Sequence, residues 1–385
     1  MMKQGVYLCI AALSCALVFF SCSDEETAGQ EPETTGYELS FDVATRAAEA
    51  GTGEEVQFRS LYIYAFDEED GTADFSKTDF PESSYPENKC TIRMNIQKEG
   101  KKRFYVIANP PLYIANQLTA TSSEANLQSL MIAMQGIAYK MSDLPQNADG
   151  VSDTEGDTGF PMANRMTAYA RLTDAANRRM TLHTKQTDGL MITTLPVIRC
   201  LGKISVKAYL DNGNTTPVKI NSLSIYRFAG DGYFLPVWKE DIGDWKSMSS
   251  GSAYAEWNSD KKLDLTEMGK KEELLITNTV SVLPVAVEVD ATNKESANPV
   301  TSFYLCQNSY GDAIDVNEQE GLEDTEGNRA TRLVVGLSDG RSSEKTLPYL
   351  RRNDHLTIYL KVSAYAINFD FKVWNLVTVT PDWKE

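Results

Sequence analysis

The sequence predicts a mainly β protein, organised as two tandem antiparallel β-sandwich domains with a few short helices in the first. Three observations point there. Apolar residues recur at every second position in many short segments, as in Tyr37-Glu38-Leu39-Ser40-Phe41-Asp42-Val43 and Ser60-Leu61-Tyr62-Ile63-Tyr64-Ala65-Phe66. Turn-forming Gly, Asp and Asn separate them. The chain of 385 residues is also longer than one hydrophobic core usually serves, which fits two domains of about 150 to 190 residues.

In order, further strands are expected at Thr91 to Ile96, Arg103 to Ala108, Met180 to His183, Ile204 to Leu210, Ile220 to Phe228, Leu274 to Val289, Thr301 to Leu305, Arg332 to Leu337 and Leu356 to Val362. One segment, Asn126 to Gln135, has helical spacing through Leu127, Leu130, Met131 and Met134, a stripe that suits a core. Gly230-Asp231-Gly232 reads as a hairpin turn. Thr184 to Gly189 marks the domain junction, placing one domain at 47–189 and the other at 190–385.

Before the first strand the chain changes character. Lys3 precedes an apolar run from Val6 to Phe20, too short for the roughly 20 residues that span a bilayer and suited to a cleaved export signal over 1–21. Small Ser21 then Cys22 suits signal peptidase II, which leaves a diacylated cysteine as the new N-terminus, so that a lipid holds the protein to the membrane. The plainer alternative is an ordinary signal peptide with an incidental cysteine. Residues 23–36 have the composition of a disordered tether.

A formal net charge of −17 excludes the basic footprint of a nucleic-acid binder. Beyond the leader, Cys90, Cys200 and Cys306 are too far apart for a zinc site and too few for a disulfide framework; buried strand thiols are expected, with one bridge an open alternative. The acidic loops Ser142 to Gly159 and Gly311 to Asn328 lack calcium-loop spacing and read as solvated loops. His183 and His355 are the two histidines, His355 in what reads as a surface turn with Arg351, Arg352 and Asp354. No nucleophile elbow, zinc motif or phosphate loop occurs, so no catalytic residue, metal or cofactor is expected and the chain does not read as an enzyme.

Two features point elsewhere. Arg46 closely follows the first strand and precedes Ala47 and small, flexible residues, a protease-accessible loop or simply a hydrophilic connection; a cut there would separate the first strand covalently from its domain. At the other end Ile367, Phe369, Phe371, Val373, Val377, Val379 and Trp383 line one face of an extended segment, interrupted by Asn375 and Pro381. Such a strand is buried in its own sheet or offered to a neighbouring molecule.

Together with the lipoprotein start, these features resemble the Bacteroidales fimbrillin family, the subunits of type V pili. Further carriers are Leu61-Tyr62-Ile63-Tyr64-Ala65-Phe66-Asp67, Phe104-Tyr105-Val106-Ile107-Ala108-Asn109, Phe160-Pro161-Met162, Val197-Ile198-Arg199-Cys200-Leu201-Gly202-Lys203-Ile204-Ser205-Val206 and Arg351-Arg352-Asn353-Asp354-His355-Leu356, in that order. The resemblance implies transthyretin-like, Greek-key sandwiches and a precursor exported to the outer-membrane surface, with Ser23, Asp24, Glu25 and Glu26 as an export signal. It further implies an Arg-specific protease that cuts between Arg46 and Ala47, removing the lipidated leader 22–46. The groove so opened takes the C-terminal strand of a neighbouring subunit, here 368–385. The implied partners are other fimbrial subunits, joined head to tail in a homo- or heteropolymer, and a host or bacterial surface ligand. The competing reading is an anchor-type or monomeric surface lipoprotein that binds a partner protein or glycans through Trp238, Trp245 or Trp257.

Overall fold

The computed structural model describes residues 36–45, 58–77, 89–133, 160–211, 216–239, 244–247, 255–258, 263–264, 266–267, 275–311, 322–324 and 327–374. In chain order the first half contains β1 (Tyr37–Thr45), β2 (Leu61–Asp67), β3 (Ala73–Lys77), β4 (Lys89–Ile96), β5 (Gly100–Ala108), helices α1 (Leu112–Ala115) and α2 (Glu124–Gln128), β6 (Met131–Ala133), β7 (Met162–Asp174), β8 (Arg179–His183), β9 (Met191–Ile192) and β10 (Thr194–Arg199). The second half contains β11 (Leu201–Leu210), β12 (Val218–Tyr226), β13 (Phe228–Ala229), β14 (Asp231–Tyr233), β15 (Asp244–Ser247), β16 (Ala255–Asn258), β17 (Leu275–Ile276), β18 (Val280–Ser281), β19 (Val287–Val289), β20 (Asn298–Cys306), β21 (Arg332–Leu337), β22 (Ser342–Thr346), β23 (His355–Val362) and β24 (Ile367–Trp374).

The expected fold class holds: among the described residues strands dominate and two short helices lie in the first half. One sheet runs β3-β2-β5-β7-β10-β1-β8-β9, with β4 added on β1. Long β7 joins its two layers by pairing with β10 at Met162–Ala163 and with β8 from Tyr169 onward. The second sandwich places the sheet β20-β11-β23-β24 with the sheet β18-β12-β21-β22. The sheet changes at Cys200, between β10 and β11. One hydrophobic cluster runs through both halves, and Gly36–Glu385 forms one compact unit.

Alternation explains the strands. In β4, Cys90, Ile92, Met94 and Ile96 point inward while Thr91, Arg93 and Asn95 face solvent. Leu333, Val335 and Leu337 of β21 follow the same rule. Where neighbours override local pattern, expectation and structure part. The helix expected over Asn126–Gln135 covers only α2, opened by a Ser123–Asn126 capping box; Leu127 and Leu130 are core, but Met131 enters β6 and pairs with Tyr233. That pairing also makes Asp231–Tyr233 a strand rather than the expected hairpin turn. The stretch Leu274–Val289 is broken into β17, β18 and β19. Strand β7 went unforeseen because it buries polar Asn164 and Thr167 among its apolar residues; the Asn164 amide donates to the Pro196 carbonyl.

The segments quoted for the resemblance meet in space. Asn109, in the left-handed region with φ 50°, accepts from the Arg59 and Ser60 amides through Oδ1 and donates to the Phe160 carbonyl through Nδ2. Phe160 stacks edge-on against Tyr304 at 4.9 Å and lies under the Arg199 guanidinium. Arg199 N–H donates to Asn353 Oδ1 and Lys203 N–H to the Asp354 carbonyl. A side chain at Gly202 would put Cβ 2.7 Å from the Arg351 carbonyl, so only glycine fits this crossing. Arg352 donates to the carbonyls of Tyr233 and Phe234. The turn 351–354, expected at the surface, is therefore largely interior, with Arg352, Asn353 and Asp354 buried.

Candidate functional site

Strand β1 holds an interior place. Along one edge it pairs antiparallel with β4 from Tyr37↔Ile96 to Ala44↔Lys89. Along the other it runs parallel to β8 and then β10, with Glu38 N–H donating to the Arg178 carbonyl and Asp42 N–H to that of Thr193. Leu39, Phe41 and Val43 point into the core at 0%, 3% and 0% exposure. Phe41 meets Phe104 of β5 edge-on at 5.9 Å across the sandwich.

Polar contacts line the outer face. Asp42 accepts a hydrogen bond from Thr91 at 2.7 Å and an ion pair from Lys89 at 2.8 Å. Glu38 faces Arg179 at 3.9 Å, and the Arg178 guanidinium covers the Tyr37 ring at 5.5 Å. Cys90 lies directly opposite Val43; burial, then the Asp42 carboxylate, push its thiol up to about 12. These partners come from β4, the β7–β8 turn and the start of β8, far from β1 in sequence, and no local pattern announced them.

β24 occupies an edge. It pairs with β23 from Val362↔Ile367 to His355↔Trp374 and has no second neighbour among the described residues. Phe369 and Phe371 are half-buried against the core, Asn368, Asp370 and Lys372 are exposed, and Val373 pairs with Leu356. Cys22, Ser23, Asp24, Glu25, Glu26, Arg46, Ala47, Val377, Val379 and Trp383 lie outside the described residues, as does the loop 142–159. Most of 311–328 does too; its Asp324 carboxylate is occupied by the amides of Asn328, Arg329 and Ala330.

Cys90, Cys200 and Cys306 are free and buried. His355 bonds Ser205, and His183 contacts Thr181 and the Gly189 carbonyl. Trp238 is buried, and half-buried Trp245 donates to the Thr167 carbonyl, so neither offers an open sugar-stacking face. Among the described residues no group of three or more His, Cys, Asp or Glu could hold a metal, and no helix is long and apolar enough to cross a membrane.

Similar architectures occur in solved structures. The tip fimbrial protein Mfa3 of Porphyromonas gingivalis, truncated at its C-terminus, matches with 11% identity and a TM-score of 0.50 over 88% of this chain and 98% of its own. The chain has a fimbrial-protein fold. A candidate cell adhesion protein of Parabacteroides distasonis shares this fimbrial-protein fold at 12% identity and a TM-score of 0.50, over 88% of this chain and 96% of its own. No family profile and no curated protein matches the sequence. In this chain β1 lies inside its sheet and β24 at a sheet edge, which sets the geometry for the reading below.

Proposed function

We propose that the chain is a fimbrillin-family subunit of a cell-surface type V pilus, assembled by proteolysis-triggered strand exchange and used in adhesion. The observation that carries this reading is the position of β1. It is bonded along both edges and fills the core with Leu39, Phe41 and Val43, yet it runs straight into Arg46-Ala47. A cut after Arg46 by an Arg-specific protease leaves it held by noncovalent contacts alone. Its departure opens a slot with two bare strand edges and an apolar floor, an acceptor that another subunit's strand completes.

In this reading Cys22 carries lipid once 1–21 is cleaved, Ser23 to Glu26 direct export to the cell surface, and 22–46 is lost as the subunit enters the fibre. The first sandwich ends with β10 and the second begins with β11. The outer membrane holds the precursor by lipid, and polymerised subunits bind a host or bacterial surface ligand. Each buried apolar side chain of the incoming strand contributes roughly 1.5–3 kcal/mol, so a strand with several such anchors exchanges slowly. A head-to-tail contact that need not close grows into a filament. No step of this cycle calls for catalysis by the chain.

The test is limited digestion of the full chain with an Arg-specific protease, followed by size-exclusion chromatography and electron microscopy. Cleavage at Arg46 with loss of β1 and growth of filaments supports the reading. Persistence of a monomer after β1 has left contradicts it.

A further inference from the structure

The sheet β20-β11-β23-β24 runs against the charge of the rest of the chain. Acidic residues outnumber Lys and Arg by 54 to 37 overall, yet these four strands together hold four lysines, one histidine and one aspartate, with no arginine or glutamate. All six alternate with residues of the core. Lys203 and Lys207 flank buried Ile204 and Val206 on β11, and His355 and Lys361 flank the buried stretch through Leu356, Ile358 and Leu360 on β23. Asp370 and Lys372 alternate with half-buried Phe369 and Phe371 on β24. The charges therefore share the outer face.

Contacts between strands give that face its shape. Lys203 pairs in register with Tyr304 on one side and His355 on the other, and Lys207 pairs with Tyr359. Between these two rows of long side chains runs a row of short ones, Ser302, Ser205 and Thr357, with Ser205 and Thr357 sunk to 8% and 2% exposure. His355 Nε2 lies 2.8 Å from the Ser205 hydroxyl, and that hydroxyl lies 2.9 Å from Ser302 Oγ. The result is a shallow trough crossing the strands, about 13 Å from the Lys203 row to the Lys207 row, with hydroxyls on its floor. A fifth lysine, Lys294 of the β19–β20 loop, stands over the Tyr359 ring at 4.6 Å and pairs with Asp370. Lys361 pairs with Asp211 at 2.9 Å. Five lysines thus face two aspartates.

We propose that this trough binds a sulfated polysaccharide. The proposal rests on the adhesion half of the reading above and deepens it by giving the surface ligand a chemistry and a site; it does not depend on strand exchange. The lysines are spread over the sheet rather than converging on one point, which suits a polymer with charges at intervals and not a single small anion. An ammonium is a point charge without the planar fork that favours carboxylate and phosphate, and the face has no arginine on its strands. Sulfate esters meet such point charges, and the Ser302 and Ser205 hydroxyls supply hydrogen bonds to sulfate or sugar oxygens. The net charge of −17 does not forbid this, because charges farther off than about 8 Å are largely screened at physiological ionic strength. Lys203, Lys207, His355 and Lys361 belong to β11 and β23, which the departure of β1 leaves in place, so the trough is the same before and after the cut at Arg46.

The test uses heparin as the probe and the uncut full chain as the protein. Retention on immobilised heparin at low salt, with release as salt rises, is the expected result. Lys207→Glu should weaken binding roughly tenfold. Lys372→Gln, at an exposed position, should weaken it about threefold and guards against a folding defect in the first variant. Lys345→Glu makes the same charge change on β22 of the opposite sheet and should leave retention as it was. Neutral dextran and polyglutamate should fail to displace the chain.

Absence of retention at low salt, equal losses from Lys207→Glu and Lys345→Glu, or displacement by polyglutamate as readily as by heparin overturns the proposal and leaves the strand-exchange reading standing. Failure of filaments to grow after β1 has left overturns that reading and leaves the trough untouched.

Discussion

Val43 and Cys90 face each other across the β1–β4 ladder, so the one thiol of the first sandwich is covered by the one strand that a cut at Arg46 would release. Burial and the neighbouring Asp42 carboxylate hold that thiol protonated, at about 12. The Asp42 carboxylate and the cover that β1 provides leave with β1. Alkylation of Cys90 at pH 8 should therefore be very slow in the intact chain and faster by orders of magnitude once β1 has been released, as the thiol returns toward its ordinary value near 8.5. Mass spectrometry of iodoacetamide-treated protein checks this, and equal labelling before and after the cut would count against β1 as the cover.

Phe41 should be the costliest truncation in β1. It is 3% exposed and packed on Phe104. Phe41→Ala should lower the stability of the uncut chain by about 3–5 kcal/mol, read by urea denaturation. Ser40→Ala on the exposed face of the same strand should stay within about 0.5 kcal/mol of wild type.

A buried ion cluster sits at the far end of the same sandwich. Lys102, wholly buried, contacts Asp67 at 2.9 Å and Asp74 at 3.2 Å, and Lys98 reaches Asp67 at 3.1 Å. Burial alone would raise the Asp67 carboxyl, but hydrogen bonds from Lys102, Lys98 and the Glu69 amide outweigh it and hold the group down to about 2. A carboxyl lowered in the folded state adds stability that is complete above its unfolded value, near 3.9, and is lost as pH falls from there through its folded value. Urea midpoints should thus drop between pH 4 and about 2, and Asp67→Asn should flatten that part of the profile. Lys102→Met takes the cation from the buried Asp74 carboxylate and leaves Asp67 with Lys98, and should cost about 3–5 kcal/mol at neutral pH.

Much of this architecture was legible in the chain. Period-two alternation placed β1, β4 and β21, which bury one face and leave the other more open, while the apolar and aromatic runs of β2, β5, β11 and β23 marked strands that are buried largely on both faces. It could not place β7, whose buried Asn164 and Thr167 are satisfied only by tertiary neighbours, nor separate α2 from β6, since Met131 is drawn into a strand by Tyr233 from a distant part of the sequence. Arg352 and Asp354 read as a surface turn because charge usually marks solvent. Their burial depends on carbonyls at Tyr233 and Phe234 and on Arg351, and among these only Arg351 is close in sequence. The candidate site was half readable: β1 and the apolar face of β24 show in the sequence, but the rim of Lys89, Thr91, Arg178 and Arg179 appears only once β4 and β8 flank β1.

The most direct measurement is the N-terminal sequence and intact mass of the protein recovered from its native cell surface. The account predicts a chain that starts at Ala47, carries no lipid and has lost β1. A chain that starts at diacylated Cys22 and retains β1 in the assembled state would contradict it.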